Sequence, residues 1–450
     1  MERVKKKNQI DMTVGSILGK QILFIVPLMF TTLLQLLYNA VDIIVVGKFA
    51  GTTALSAVGS TGALINLLIN VFMGLSIGAS VVTSLYFGSK DEENMHRTIH
   101  TSVAIAIIAG LALAVIGQIA SPILLRWMAT PDDVINQSVL YMRIIFIGMP
   151  FNLLYNFCAA ILRAVGDTKR PLIFLGIAGV VNVVLNLIFV IIFHMDVAGV
   201  ATATIIAQAI SVILITRCLT RSEGALKLTW SKVRIYKGQL IRIVQIGLPA
   251  GIQGSFFSIS NVLIQSSINS FGAIAMAGNA ASANLESFIF AGMNCVHQSA
   301  VTFAGQNLGA REYRRVRKNL YYCWGLVMVI AMIMCTIFTI FAKPLVCLYT
   351  NDAEAIAVGV NRLIFFCRFY FLCGAMDVIV GHVRGIGHSL VPMFISLLGV
   401  CVFRVVWVFF VFSKWPTLDM LYISYPVTWI LCIVSLFVYY LVIAKKEIAD

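Results

Sequence analysis

The sequence predicts an all-α integral membrane protein with twelve transmembrane helices in two pseudo-symmetric six-helix lobes. Three observations predict it. Hydrophobic residues make up 60% of the 450 and charged residues only 12%, with a mean hydropathy of +0.94, whereas soluble domains carry about 25% charged residues. Apolar runs of about 20 residues or more recur from end to end, each long enough to cross a bilayer. The second half of the chain also repeats landmarks of the first. No soluble stretch is long enough to hold a separate enzymatic domain.

The apolar runs place spans at about 19–46, 54–86, 98–120, 136–162, 170–193, 198–219, 239–268, 279–306, 319–341, 357–383, 390–412 and 418–443. Connections are short apart from 220–238 (TRSEGALKLTWSKVRIYKG), which reads as a cytoplasmic linker between an N-terminal lobe, 1–219, and a C-terminal lobe, 239–450. Arg3, Lys5, Lys6 and Lys7 precede an apolar run too long for a signal peptide and without a small-residue cleavage site, so the first helix is expected to be retained. Basic residues gather in the loops after even-numbered spans, among them Lys90, Arg97, Arg163, Lys169, Arg221, Arg311, Arg314 and Lys445. The opposite loops hold little more than Lys48, Arg126, Lys343 and Lys414. The positive-inside rule therefore puts both termini and the linker in the cytoplasm. It also gives the net charge of +14 a topological origin, so no nucleic-acid partner is expected. The ten cysteines fall mostly inside apolar runs with no C-x-x-C pair, as core hydrophobes do, and neither a disulfide framework nor a zinc site is expected.

With an offset of 221 or 222 residues, Pro27 meets Pro249, Phe49 meets Phe271 and Pro122 meets Pro344. FGSKDEENMHR (87–97) lines up with LGAREYRRVRK (308–318), matching Gly88 to Gly309 and Lys90 to Arg311. RAVGDTKRP (163–171) lines up with RGIGHSLVP (384–392), matching Arg163/Arg384, Gly166/Gly387 and Pro171/Pro392. Six spans per copy bring both copies into the membrane from the same side. Such parallel repeats are typical of alternating-access carriers with a cleft between lobes. A duplicated scaffold in a channel or polytopic enzyme is the competing reading. An enzyme would need a clustered acid–base or metal constellation at one membrane face, and the sequence offers none.

The first span carries Pro27 and a single carboxylate, Asp42. A lone acid at a helix centre costs roughly 2.5–3.5 kcal/mol on the insertion scale. Tyr38 and Gln35 lie 4 and 7 residues before it on the same helical face. Two readings are open: Asp42 is wetted at the interface, or it looks into a cavity and works there. Asn182 and Asn186 share one face of the fifth span, and topology puts them at the depth of Asp42 and of Thr202. Amide packing between helices, at around 0.6 kcal/mol each, and a polar cluster with Asp42 are the alternatives. Pro27 leaves one backbone carbonyl without its helical partner, which marks either a hinge or a static kink. In the second half, Glu286, Arg368 and Arg404 fall at middle to outer depth, as a buried ion pair or a second cation-binding site would. Asp377, seven residues before Arg384, belongs to the inner end. Gln35, Tyr38, Tyr141, Met149 and Phe288 are candidates to line a cavity for amphipathic organic cations, through cation–π contact and soft packing. His194 and His297 stand alone, without metal-ligand spacing, and read as structural.

The first-helix run P-x7-Q-x2-Y-x3-D-x4-G (Pro27, Gln35, Tyr38, Asp42, Gly47), the basic loops at Gly88 and Gly309 and the paired R-x-x-G…P loops resemble the multidrug and toxic compound extrusion (MATE) family. The resemblance covers nearly the whole chain. It implies a V-shaped, monomeric antiporter of the bacterial inner membrane. Such a protein exports amphipathic, mostly cationic compounds by alternating access in exchange for H⁺ or Na⁺, without a cofactor. It also implies that Asp42 is the first-helix acid that is protonated or binds Na⁺, the one metal ion expected. One branch of the family carries an Asn-x-x-x-Asp pair in the fifth span. Here the matching positions are Asn182 and Asn186, so the second carboxylate is an amide, and Thr202, with Thr204 close behind, matches a sixth-span threonine. Another branch has acids in the seventh and tenth spans. The seventh here offers Gly254, Ser255, Ser258 and Ser260, and Asp377 lies about one turn from the expected place in the tenth. The alternative within the superfamily is a flippase for lipid-linked saccharides. That class wants a strongly cationic cavity, whereas intramembrane basic residues are few here (Arg143, Arg368, Arg404).

Overall fold

The computed structural model describes residues 9–128 and 130–447. The basic residues Arg3, Lys5, Lys6 and Lys7, which contribute to the expected orientation, lie outside them. Among the described residues the chain is helical and has no strand. Twelve long helical segments follow one another: Ile17–Val45, Gly51–Ser89, Glu92–Trp127, the pair Asp132–Ile147 and Met149–Ala164, Lys169–Leu187, Asp196–Thr220, Lys237–Asn269, Ala273–Gly309, Tyr313–Ile340, Ala353–Gly385, the interrupted stretch 390–412, and Leu418–Glu447. Ten are long and apolar enough to cross a membrane, and the pair makes eleven. This is a multi-pass membrane protein.

The exceptions have physical causes. The fourth span is broken: its two helices meet at Gly148 with a bend of 46°. Pro150 stands in the first turn of the second helix, where its missing N–H is harmless, but it cannot extend the first. The eighth, Ala273–Gly309, is 37 residues long yet carries Asn279, Glu286, His297, Gln306 and Asn307, all buried. It packs chiefly against Ala353–Gly385 and Tyr313–Ile340. Its second half, 291–307, is almost wholly buried, so it needs no apolar circumference there.

Two compact units emerge. One holds Val26–Gly251 with the residues up to Asp11, and the other holds Met12–Ile25 and Ile252 onward. The division therefore falls inside the first and seventh spans, beside Pro27 and Pro249, and not in the 220–238 connection. That connection is docked on the first unit. His100 Nε2 lies 3.0 Å from the Thr229 N–H, the Tyr236 N–H donates to Thr101 Oγ1 (3.2 Å), and Gln239 Nε2 donates to Asn94 Oδ1 (2.8 Å).

The matched loops of the two halves share one backbone. Lys90 and Arg311 both adopt the left-handed region, with φ of 56° and 59°, and so do Gly166 and Gly387, at 83° and 104°. Each residue closes the helix before it in the same way. Lys90 N–H donates to Phe87 O, Arg311 N–H to Leu308 O, Gly166 N–H to Arg163 O and Gly387 N–H to Arg384 O. In each case the next N–H reaches back five residues, the pattern of a Schellman stop. A methyl group on Gly387 would meet nothing within 4 Å, so Gly387→Ala tests backbone strain alone. It is expected to lower stability by about 1–2 kcal/mol. Gly325→Ala, inside a helix and equally uncrowded, is expected to raise it by about 0.5–1 kcal/mol. Thermal unfolding of detergent-solubilised protein reads both.

Candidate functional site

In the first unit, three helices bring a polar cluster together. Asp42 lies in the last turn of Ile17–Val45, Asn182 and Asn186 lie one turn apart on Lys169–Leu187, and Thr204 lies on Asp196–Thr220. Asn186 Nδ2 donates to Asp42 Oδ1 and to Asn182 Oδ1 (3.3 Å). Asn182 Nδ2 donates to Thr204 Oγ1 (3.4 Å), and the Thr204 hydroxyl also neighbours the Asp42 carboxylate. Asn186 is fully buried, yet its Oδ1 has no donor. No Lys, Arg or His pairs with Asp42 among the described residues.

The local structure around the cluster is unusual. A π-helical turn, Val46–Ala50, follows Asp42, and another, Ile188–Ile192, follows Asn186. Such turns interrupt regular helices mostly at functional positions. Beyond Asp42, an apolar cluster of Val45, Val46, Val134, Val190, Val197 and Val200 closes the site, and Tyr141 packs against it. On the other side the Tyr38 ring lies across Gly179, and its hydroxyl donates to Gly176 O (3.3 Å). A Cβ on residue 179 would fall 1.6 Å from Tyr38 Cζ, so only glycine admits the ring there.

Several expectations need correction. Thr204, not Thr202, joins the cluster, because positions two apart on an α-helix point about 200° from each other. Gln35, on the same helix as Asp42, is exposed. Met149 is core, 2% exposed. Phe288 is half-buried, and its neighbour Phe290 faces a cavity instead.

That cavity belongs to the second unit and has a volume of about 410 Å³. Glu286, Asp377, Arg362 and Arg404 line it, together with Tyr370 and Trp429. Glu286 is held by Arg362 in a two-pronged pair (Nε–Oε1 2.8 Å, Nη2–Oε2 3.2 Å) and accepts from Ser282 (2.9 Å). Arg362 Nη1 also donates to Asn279 Oδ1 (2.9 Å). The partner of Glu286 is therefore neither Arg404 nor Arg368, which is exposed. Sequence reasoning missed Arg362, although the equal-depth argument that grouped Asn186 with Asp42 places it level with Glu286. Asp377 pairs with His297 (Nδ1–Oδ1 3.2 Å), so His297 is not a solitary histidine. Arg404, 5% exposed, stacks 3.9 Å over the Tyr425 ring and has no hydrogen-bond or carboxylate partner among the described residues. No group of three or more metal-ligating side chains occurs among the described residues.

The MatE family profile matches this chain twice, over residues 27–188 and 249–410. Two Bacillus subtilis (strain 168) proteins are similar over most of their length. One is the probable multidrug resistance protein YoeA, 28% identical over 435 residues and 94% of each chain. The other is the probable multidrug resistance protein YpnP, 28% identical over 399 residues and 88% of each chain. Among solved structures, an outward-facing multidrug resistance MATE family transporter of the MOP superfamily superposes with a TM-score of 0.91 over 98% of both chains, at 20% identity.

Removing Glu286 leaves Arg362 buried without a counter-charge. Glu286→Gln is expected to destabilise the second unit by about 3–5 kcal/mol, whereas replacing both residues together, as Glu286→Leu with Arg362→Met, recovers most of that loss. Thermal midpoints and the yield of monodisperse protein on size exclusion check this.

Proposed function

The chain belongs to the MatE family, and from that premise we propose that it is a multidrug efflux transporter of the cell membrane that exchanges H⁺ or Na⁺ at Asp42 for amphipathic, mostly cationic organic compounds. One observation carries the reading: half-buried Asp42 has only neutral partners among the described residues, while Glu286 is paired with Arg362 and Asp377 lies beside His297 and near the charge of Arg384. An acid clamped by arginine stays ionised through a transport cycle. An acid among amides and a hydroxyl changes its charge whenever a cation arrives or leaves, and the interior registers that change at full strength.

The surroundings suit either cation. A proton on Asp42 removes the charge and retains acceptor capacity for Asn186. A sodium ion would find hard oxygen donors in the Asp42 carboxylate, the orphaned Asn186 Oδ1 and the Thr204 hydroxyl. In either case, neutralising Asp42 lifts the penalty for closing apolar walls over it, which biases a unit with two arrangements. Pro27, at the point where the first span passes from one unit to the other, is the proposed hinge. With both termini in the cytoplasm, Asp42 lies in the outer half of the membrane. Entry of the cation from outside then drives release of the bound compound to the outside.

Dye efflux from loaded cells, under separately imposed H⁺ and Na⁺ gradients, tests the proposal. Asp42→Asn is expected to reduce gradient-driven efflux by about tenfold or more. Full activity in this variant under both gradients would remove Asp42 from the mechanism. Thr204→Val should slow efflux by roughly threefold or more, while Thr202→Val stays within about twofold of the parent.

A further inference from the structure

The duplication offers a comparison inside one molecule. The two matched segments begin and end 222 residues apart. At that offset Asp42 corresponds to Ile264, and Asn182 corresponds to Arg404. The earlier loop match, Pro171 with Pro392, has an offset of 221. The extra residue falls in the π-helical turn Leu397–Val402, whose wider loop accommodates it just before Arg404. Ile264 and Arg404 both line the 410 Å³ cavity of the second unit. The position that is an acid in the first unit is thus apolar in the second, and an amide position has become a cation.

Arg404 is not consumed by the fold. Its planar face rests on Tyr425 at 3.9 Å, which leaves the N–H edge of the guanidinium free, and Nε, buried, has no acceptor. The other charges facing the cavity are already matched. Arg362 and Ser282 hold Glu286, while His297, Asn294 and the nearby charge of Arg384 hold Asp377. Arg362 and Arg404 line the cavity with Glu286 and Asp377, and Arg384, whose charge lies near Asp377, makes three arginines to two carboxylates around it. A guanidinium does not shed its proton, so the excess charge is permanent and calls for an anion. Asp377 Oδ2, also buried, lacks a donor. The walls supply Phe257, Phe290, Tyr370 and Trp429, and the volume is that of a site for a drug-sized ligand.

We propose that this cavity is the charge-inverted counterpart of the Asp42 site: it binds an aromatic compound carrying a carboxylate or phosphate, with Arg404 as the anion-recognising residue. The site widens the substrate class beyond organic cations.

Three probes of one shape test it on the full-length protein in lipid nanodiscs: 2-naphthoate, its neutral amide and 2-naphthylmethylammonium, measured by equilibrium dialysis. The parent is expected to prefer the carboxylate over the amide by about tenfold or more. In Arg404→Gln that preference collapses to about one, while the amide binds within about twofold of its affinity for the parent, reporting an intact cavity. Arg404→Lys keeps part of the preference. No preference for the carboxylate in the parent, or a preference that survives Arg404→Gln, overturns the proposal. Should Arg404→Gln not fold, Ile264→Glu takes its place: a carboxylate in the cavity is expected to cancel the preference, and its persistence overturns the proposal equally. The assay applies no gradient, so its outcome is independent of any coupling at Asp42.

Discussion

Inside a helical membrane protein little water reaches a buried charge, so each carboxylate and guanidinium must be compensated by a neighbouring side chain. The interior of this chain is organised by the different ways it meets that requirement. Glu286 is met in full by a two-pronged arginine. Asp377 is met by a histidine and further donors. Asp42 has dipoles only, and Arg404 has the face of a ring. The first two are fixed by their partners and fasten helices together. The last two retain an unmet demand, and a protein that moves solutes has a use for such a demand.

Duplication allowed the two kinds to diverge. Both units stop corresponding helices on residues with the same left-handed backbone, down to the same reach of the capping N–H groups. That scaffold is indifferent to which side chains project into its interior. A change from asparagine to arginine at one register position, with the acid of the neighbouring helix exchanged for isoleucine, reverses the polarity while the helix stops stay the same.

The spans were legible in the sequence because crossing a bilayer imposes length and apolarity together. The repeat was legible because capping residues are locally determined. Asn182 and Asn186 were matched to Asp42 through the family resemblance, and depth from topology and facing from a four-residue spacing agreed with that match. The misses occurred where facing depends on helical phase. Thr202 and Thr204 have nearly the same depth, and only the rotation of their helix separates them. Arg362 was passed over because it stands close to the start of its span and reads as an interfacial charge, although depth alone matches it to Glu286. The break at Gly148 was hidden because Pro150 sits in an otherwise unbroken apolar stretch. The exchange of helix segments between units had no sequence signal beyond the two prolines beside it.

That exchange bears on how the chain is made. Residues 12–25 belong to the unit whose body begins at Ile252, while 237–251 complete the unit that came before. A ribosome that has just released the first six spans has therefore not yet supplied everything the first unit needs, and it has already emitted a piece the second unit lacks. Neither unit finishes alone during synthesis. A gene cut at the 220–238 connection would encode two fragments, each short of one half-helix that only the other provides, so the fragments would be stable together and incomplete apart.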